Sequence, residues 1–227
     1  FASHFVLWQP KATVGGDFYW LHKNEKGEVY FAVIDCTGHG VPGALLSMTV
    51  SSLLNHLIKD IGMDKPSAIL QTMHQEFGAA LHQENPEAQQ DGVEISFLKI
   101  TKGLITFCGA GLNLVYYDKQ SQTLNQIRGD RYGLGGLKRH LELELTEHNL
   151  PCSANLLLYL YTDGIIDQPV PDAEKIKRLG NVLWLKLISE LVYLPLAEQK
   201  TLLEEKVKAM LDFYEQRDDI TIVGLQL

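Results

Sequence analysis

The sequence predicts an α+β fold in which antiparallel sheets pack on one another and helices lie outside. Two observations support this prediction. Short β-like runs in the middle of the chain follow one another too closely for parallel crossovers, which need about a dozen or more residues. Segments with helical periodicity form groups before and after those runs. The 227 residues are 45% hydrophobic and can bury a sizeable core, so we expect one domain over residues 1–227.

The first half of the chain predicts a strand, a β-hairpin and two amphipathic helices. The second hairpin arm is apolar on both faces, which is typical of a buried strand, and it ends in a carboxylate. Two prolines each precede apolar residues at helical spacing. The predicted elements are a strand at Phe5–Trp8, hairpin arms at Asp17–Lys23 and Val29–Asp35 around the turn Asn24–Gly27, a helix from Pro42 to about Gly62, and a helix after Pro66 that contains Ile69, Met73, Phe77 and Leu81.

The second half predicts an antiparallel meander, further helices and a final strand. Turn signals such as Lys102-Gly103 separate several of the strand-like runs. The segment Gln168–Asp172, with two prolines, is expected to be irregular. The predicted elements are strands at Val93–Thr101, Leu104–Cys108, Leu112–Asp118, Thr123–Ile127, Leu141–Thr146 and Leu156–Thr162, helical periodicity between Ala173 and Tyr214, and a strand at Ile220–Leu227.

Composition limits the partners and the compartment. The formal net charge of −8 argues against binding to nucleic acid or anionic lipid, because both need clustered Lys and Arg. No apolar run approaches the roughly 20 residues that span a bilayer, so we expect no direct membrane contact by this domain. Three cysteines without CxxC spacing favour a reducing compartment, and we expect the cytoplasm. Because Phe1 stands close to a predicted strand, we expect the chain to be the C-terminal part of a longer sensor protein, which upstream segments could anchor to a membrane.

Four acidic positions adjoin an apolar strand or a glycine turn. Asp17 follows two glycines, Asp35 and Asp163 end apolar strands, and Asp218-Asp219 precedes the last strand. A single aspartate at a strand end is usually a turn former or a cap. Four such positions together favour a shared site, in which two charges ~4 Å apart at an effective dielectric of ~20 repel by about 4 kcal/mol. A proton or a cation must relieve that repulsion.

The chemistry of these ligands indicates hard cations. Oxygen ligands without a cysteine or histidine cluster select Mg²⁺ and Mn²⁺ over zinc. Two such ions can lower the pKa of a shared water and hold the oxygens of an in-line phosphoryl displacement, so the chemistry predicted is hydrolysis of a phosphate ester. Gly15-Gly16 and Gly38-His39-Gly40 let the backbone approach an ion or ligand closely. His39 is either a supporting or proton-donating residue or an ordinary loop histidine.

Five motifs follow one another along the chain: Val14-Gly-Gly-Asp-Phe-Tyr-Trp20, Asp35-Cys-Thr-Gly-His-Gly-Val-Pro-Gly-Ala44, Phe107-Cys-Gly-Ala-Gly-Leu-Asn113, Tyr161-Thr-Asp-Gly164 and Asp218-Asp-Ile-Thr221. These motifs resemble the sporulation stage II protein E-like phosphatases, bacterial relatives of the type 2C metal-dependent (PPM-type) serine/threonine phosphatases. The resemblance covers essentially the whole chain, in the order of the family. It implies a four-layer αββα sandwich of two antiparallel β-sheets flanked by helices, with a two-metal site at one end.

The resemblance also implies the roles of individual residues. Asp35 bridges two Mn²⁺ or Mg²⁺ ions, the backbone carbonyl of Cys36 is a ligand, and three further carboxylates complete the site. Within the pair Asp218-Asp219 the ligand is not decided by sequence, and we favour Asp218. The catalytic candidates are Asp35, Asp17 and His39, the metal candidates are Asp17, Asp35, Cys36, Asp163, Asp218 and Asp219, and weaker candidates are Gly38 and Gly40 for substrate and Glu94 for an extra metal.

Partners follow from the same resemblance. Such domains act on phosphorylated anti-sigma-factor antagonists or similar regulators, so the expected partner is a phosphoprotein substrate in bacterial signalling or partner switching. Whether the domain forms a homodimer is open.

Other classes of protein fit less well. No cysteine is followed by Arg at the sixth position, which excludes a Cys-dependent phosphatase. Gly109-Ala-Gly111 lacks the third glycine and the following helix of a dinucleotide loop. The alternative is a pseudophosphatase, a sensory or partner-binding module of the same fold without turnover. The presence of every proposed carboxylate favours the enzyme.

Overall fold

The computed structural model describes residues 1–83, 91–136, 143–170 and 177–227, and its main elements are two antiparallel sheets and four longer helices. The strands are β1 (Ser3–Gln9), β2 (Phe18–Lys23), β3 (Val29–Cys36), β4 (Gly92–Ile100), β5 (Leu104–Ala110), β6 (Leu114–Asp118), β7 (Thr123–Ile127), β8 (Leu134–Gly135), β9 (Glu147–Pro151), β10 (Leu156–Tyr161), β11 (Pro169–Val170), β12 (Lys177–Arg178) and β13 (Ile220–Gln226). The helices are α1 (Gly40–Asn55), α2 (Pro66–Ala80), α3 (Asp163–Asp167), α4 (Gly180–Leu191) and α5 (Leu196–Leu211).

Strand pairing confirms the predicted fold class. One sheet has the order β1-β13-β10-β6-β7, and the other has the order β2-β3-β4-β5-β9 with β8 beside β4. All neighbours in both sheets are antiparallel. The remaining short strands, β11 and β12, pair only with each other among the described residues.

The two sheets pack face to face on an apolar layer. Alternate residues of β3, Phe31 and Val33, lie in this layer with Leu158 and Leu160 of β10 and Val223 of β13. Successive side chains of a strand point to opposite faces, so only half of each strand can fill this layer. The other half needs a second apolar partner, which is why β10 and the part of β3 before Asp35 are apolar on both faces.

Helices provide that second partner on both outer faces. On one side α1 and α2 cover the opposite face of β3, where Ala32 and Ile34 pack with Leu54 of α1. On the other side α4 and α5 cover β10, where Tyr159 packs with Trp184 of α4. The resulting order of layers is helix, sheet, sheet, helix, as the resemblance implied.

The first helix and the segment after it form a longer apolar stretch than the sequence analysis predicted. Residues Gly40–Asp60, which are α1 and the π-helical segment His56–Asp60 after it, have the length and apolar composition of a membrane span, with a hydropathy of 1.3. The expectation that no run approaches such a length is therefore wrong. Leu54 and Leu57 are fully buried against the sheet, which is how the core helix of a globular domain packs.

The strand predicted at Leu141–Thr146 is also wrong for its described residues. Residues 141 and 142 lie outside the described ranges, and 143–146 pair with no strand. Leu143 is buried in the core without strand pairing, and the Thr146 N–H donates to Asp130 Oδ2 at 2.7 Å. Pairing with β5 begins only at Glu147, in β9. The apolar residues of this segment therefore indicated burial in the core and not a β-strand.

The helical region predicted between Ala173 and Tyr214 divides into several elements. Residues 173–176 lie outside the described ranges, and Lys177–Arg178 forms the short strand β12. The helices α4 and α5 follow, separated at Pro195, which precedes α5. The sequence reading also missed the five-residue helix α3 and the start of the first helix at Gly40, before Pro42.

The packing of α1 gives a stability prediction. Replacing Leu54 by Ala leaves a cavity between the helix and the sheet, and we expect the free energy of unfolding to fall by about 2–5 kcal/mol. Leu45 lies on the same helix with 60% of its surface exposed, so Leu45→Ala is the matched control and is expected to change that free energy by about 0.5 kcal/mol or less. Urea unfolding followed by circular dichroism measures both, and equal losses would contradict the assigned packing.

Candidate metal centre

The register of the strands brings the four predicted acidic positions to one end of the sheets. Asp17 immediately precedes β2, whose first residue Phe18 pairs with Ile34, next to Asp35. In the other sheet Tyr161 pairs with Ile222, so the end of β10 lies beside the start of β13. Because neighbouring antiparallel strands start and end at the same edge, Asp163 and Asp218-Asp219 meet there too.

Asp35 lies at the centre of this group. Asp35 lies in β3 of one sheet, whereas Asp163 begins α3 directly after β10 of the other sheet, and the charge of Asp163 acts on Asp35. Burial raises the pKa of Asp35 well above its ordinary value, and the negative charges of Asp17, Asp163, Glu94 and Asp218 raise it further. Burial likewise raises the pKa of Asp163, with smaller contributions from nearby carboxylates. These acids therefore form one electrostatic unit.

Glu94 belongs to the same unit. It lies opposite Asp35 in the β3–β4 register. Burial, followed by the charge of Asp163, raises its pKa. The sequence indicated Glu94 only as a weaker candidate, for an extra metal.

Asp17 is held by hydroxyl donors. Its side chain is 3% exposed, and its Oδ2 accepts hydrogen bonds from Thr162 Oγ1 at 2.6 Å and from Thr221 Oγ1 at 2.9 Å. The Thr221 N–H in turn donates to Thr162 Oγ1, which fixes that hydroxyl. Burial raises the pKa of Asp17 to about 7, although the two hydroxyl donors oppose that shift. The hydrogen bonds engage one carboxylate oxygen.

Asp219 has a different environment from Asp218. Its two oxygens accept the backbone N–H groups of Lys11 and Gly16, each at 2.7 Å, and its side chain is 2% exposed. Asp219 therefore ties the loop before Asp17 to the start of β13. Asp218 is half-buried, and its Oδ1 accepts only the adjacent Asp219 N–H among the bonds formed by described residues. Asp218 is thus the member of the pair with a free oxygen toward the group.

Gly16 sits where a side chain would not fit. A Cβ built on Gly16 would lie against the carbonyl oxygen of Cys36 and 2.7 Å from that of Gly38, closer than real Cβ atoms approach other atoms. The loop that carries Asp17 can therefore lie directly on the backbone after β3. This contact places the Cys36 carbonyl, a predicted ligand, at the edge of the acidic group.

The glycine–histidine segment leads into α1. Gly38 and Gly40 have φ angles of +88° and +69°, which favour glycine. His39 between them is exposed at the N-cap of α1 and has no capping hydrogen bond from its side chain. The structure therefore places His39 four residues after Asp35 and open to solvent.

The chemistry of the ligand atoms decides whether these residues can hold a metal ion. Across the described ranges, no three His, Cys, Asp or Glu side chains converge closely enough to form a metal site by themselves. Mg²⁺ in proteins takes one or two carboxylates and keeps several waters, so a site for such an ion does not require three converged side chains. Carboxylates, the bare Gly16 and the adjacent Cys36 carbonyl form an all-oxygen set suited to hard cations. The residues present therefore fit Mn²⁺ or Mg²⁺.

Sequence reasoning missed the supporting residues of this site. Thr162 and Thr221 stood inside quoted motifs, each close to a proposed carboxylate, but we gave neither a role. Lys11 was not considered at all. The signal that could have pointed to the threonines is a hydroxyl at the end of an apolar strand, where it can donate to a buried carboxylate.

Solved structures define the class of this fold. The SiaA-PP2C domain of Pseudomonas aeruginosa is 27% identical with a TM-score of 0.81, over 99% of this chain and 85% of that one. The catalytic domain of serine/threonine phosphatase PstP with two manganese ions is 16% identical with a TM-score of 0.64, over 98% and 96%. RsbX in complex with magnesium is 18% identical with a TM-score of 0.65, over 99% and 94%. The fold is that of PP2C-type serine/threonine phosphatase domains.

The family can be stated more narrowly. The sequence model of the Stage II sporulation protein E (SpoIIE) family matches residues 25–227. The chain belongs to this family, which confirms the resemblance drawn from the motifs. A search of the curated proteins found no match.

The two neighbouring aspartates should differ in their effect on stability. Asp219→Asn leaves only one acceptor oxygen for two backbone N–H groups, and we expect a loss of about 1.5–3 kcal/mol in the free energy of unfolding. Asp218→Asn keeps an oxygen for its single local bond, so it serves as the control, with an expected change of about 0.5 kcal/mol or less. Urea unfolding with EDTA present measures both, and a larger loss for Asp218→Asn would overturn the division of roles.

Proposed function

We propose that the domain removes phosphate from serine or threonine residues of a protein substrate by hydrolysis, with two Mn²⁺ or Mg²⁺ ions in the acidic group. One observation carries this proposal: carboxylates from four distant segments gather around Asp35, where their charges need a counter-charge. Membership of a family with a phosphatase fold supplies the reaction class.

The residues of the acidic group would have different roles in binding the cations. Asp35, Asp163 and Asp218 would hold the cations with the Cys36 carbonyl, and Asp17 would join them through the oxygen that no described donor engages. When bound, the ions would activate water at neutral pH and offset negative charge on the phosphoryl group. Asp219 and Gly16 would keep the loop of Asp17 in place.

Proton transfer needs a further group. The serine or threonine oxygen that leaves must gain a proton, and His39 is our candidate donor because it is exposed to solvent four residues after Asp35. Gly38 and Gly40 would let that segment approach the substrate. We also propose that the substrate is a phosphorylated signalling regulator and that the domain works in the cytoplasm.

Metal-dependent turnover is the direct test. We expect the purified chain to release phosphate from p-nitrophenyl phosphate and from a phosphoserine peptide when Mn²⁺ is present, and to stop when EDTA is added. Asp35→Asn should lower kcat/KM by about two orders of magnitude or more, since it removes the central charged ligand. Its circular dichroism should match the wild type, because the change removes one of several repelling charges.

The control for this variant is Asp60→Asn, an exposed carboxylate outside the acidic group, which should keep full activity. If wild-type protein releases no phosphate with either ion, the domain is a pseudophosphatase and the proposed function is wrong. If Asp35→Asn keeps its activity, the ligand assignment is wrong while the activity stands.

Cation binding should also stabilise the fold. A ligand that binds only the folded state at ~100 times its Kd adds about 2.7 kcal/mol to the free energy of unfolding. We therefore expect saturating Mn²⁺ to raise the Tm of the wild type and to raise it much less in Asp35→Asn. Differential scanning calorimetry with and without EDTA measures this, and equal shifts in both proteins would place the binding elsewhere.

A further inference from the structure

A cleft of about 520 Å³ lies beside the acidic group and takes no part in the chemistry above. Lys11, Pro169, Phe213, Tyr214 and Arg217 are among its lining residues. Its volume falls within the range of ligand-binding clefts, about 300–1,000 Å³. Asp17, Asp35 and Asp163 are not among the lining residues, so the cleft is a neighbour of the candidate metal centre and not a part of it.

Three residues that line the cleft are close in sequence, or hydrogen-bonded, to residues of the candidate metal centre. Lys11 lines the cleft, and its backbone N–H donates to Asp219. Arg217 lines the cleft one residue before Asp218. Pro169 begins β11, two residues after α3, the helix that starts at Asp163. Because an extended peptide advances about 3.3 Å per residue, a substrate with its phosphorylated residue at the centre would place nearby residues over the cleft.

Two glutamines, one buried and one half-buried, fix the walls of the cleft. Gln168 is 0% exposed, donates to the Glu215 carbonyl and accepts the Arg217 N–H, both at 3.2 Å. The Gln216 amide donates to the carbonyls of Gln9 and Asp218, both at 2.8 Å. Side-chain bonds to the backbone on both sides hold the segment between α5 and β13 in one shape. The cleft is therefore formed before any ligand arrives.

The charge of the cleft contrasts with that of the whole chain. Lys11 and Arg217 contribute two positive charges and Glu215 one negative charge, which leaves a net charge of +1 in a chain whose formal net charge is −8. Neither cation forms an ion pair with a residue in the described ranges. Phe213 adds an aromatic side chain that is 75% exposed, and exposed aromatic and Arg side chains are typical anchors of protein interfaces.

From this combination we infer that the cleft binds an acidic stretch of the phosphoprotein substrate, next to the phosphorylated residue, with its carboxylates on Lys11 and Arg217 and an apolar side chain on Phe213. The inference rests on the proposed function, since it assigns the protein that the centre would act on. The two cations supply the charge complementarity, and the fixed walls supply the position. Acidic neighbours of the phosphoserine thus become a determinant of specificity.

Binding to a peptide that cannot be hydrolysed tests the inference without turnover. Two fluorescent peptides carry a phosphonate analogue of phosphoserine and differ only in having Asp and Glu, or Asn and Gln, on both sides of it. With the full chain and Mn²⁺, fluorescence anisotropy should give a Kd about five- to tenfold lower for the acidic peptide, as expected for two exposed charge pairs. The preference should shrink as salt is added.

Variants locate the preference. In Lys11→Glu/Arg217→Glu the ratio of the two Kd values should fall to about one or invert. Lys206→Glu makes a like change at an exposed lysine of α5 outside the cleft, and it should keep the wild-type ratio. Phe213→Ser should weaken both peptides and leave the ratio unchanged. Circular dichroism and Tm values establish that each variant is folded.

The outcomes separate this inference from the proposed function. Equal affinity of the wild type for the two peptides, no binding of either, or an unchanged ratio in the double variant overturns the acidic-segment site. These results do not depend on phosphate release, because the probe has no hydrolysable ester. Absence of Mn²⁺-dependent release from the phosphoserine versions overturns the proposed activity instead, and a retained acidic preference would then describe a binding module.

Discussion

Asp35 lies in β3 of one sheet and Asp163 follows β10 of the other, yet the negative charges of Asp163 and of three more carboxylates all act on Asp35. Bringing these acids together is unfavourable in itself, because burial and like charge both oppose ionisation. The double-layered core supplies the free energy for this arrangement. Strands that are apolar on both faces hold the sheets in fixed register, so the acidic ends of those strands have no freedom to separate.

Within this group the structure separates supporting acids from free ones. Asp219 uses both oxygens on backbone N–H groups and is almost fully buried, while its neighbour Asp218 keeps an oxygen toward the group. Asp17 is intermediate, with one oxygen bonded to two threonine hydroxyls. A carboxylate that already accepts two good donors gains less from a cation, so hydrogen bonding sorts the acids by their availability as ligands.

This sorting shows where sequence reasoning succeeds and where it stops. The buried strands β3 and β10 were predictable because runs that are apolar on both faces occur only where both faces are covered. The roles of Asp218 and Asp219 were not, since the N–H groups that distinguish them come from Lys11 and Gly16, more than 200 positions earlier. Likewise, Leu143 misled the strand prediction because burial in the core needs no strand pairing. The sequence pattern indicates which residues are buried and whether they form a helix or a strand. The role of a residue depends on contacts with residues that are distant in the sequence.

The segment between α5 and β13 shows how the same backbone can serve the centre and the cleft. Gln216 donates its amide to two carbonyls and lines the cleft together with Arg217, while the next residue, Asp218, acts on the acids of the centre. Residues with opposite charge thus stand side by side and face different spaces. Under the proposed function the acids would hold cations while the bases are left for an anionic partner, because the glutamine bonds fix the backbone between them. A change of specificity at Lys11 or Arg217 would in this way require no change in the metal ligands.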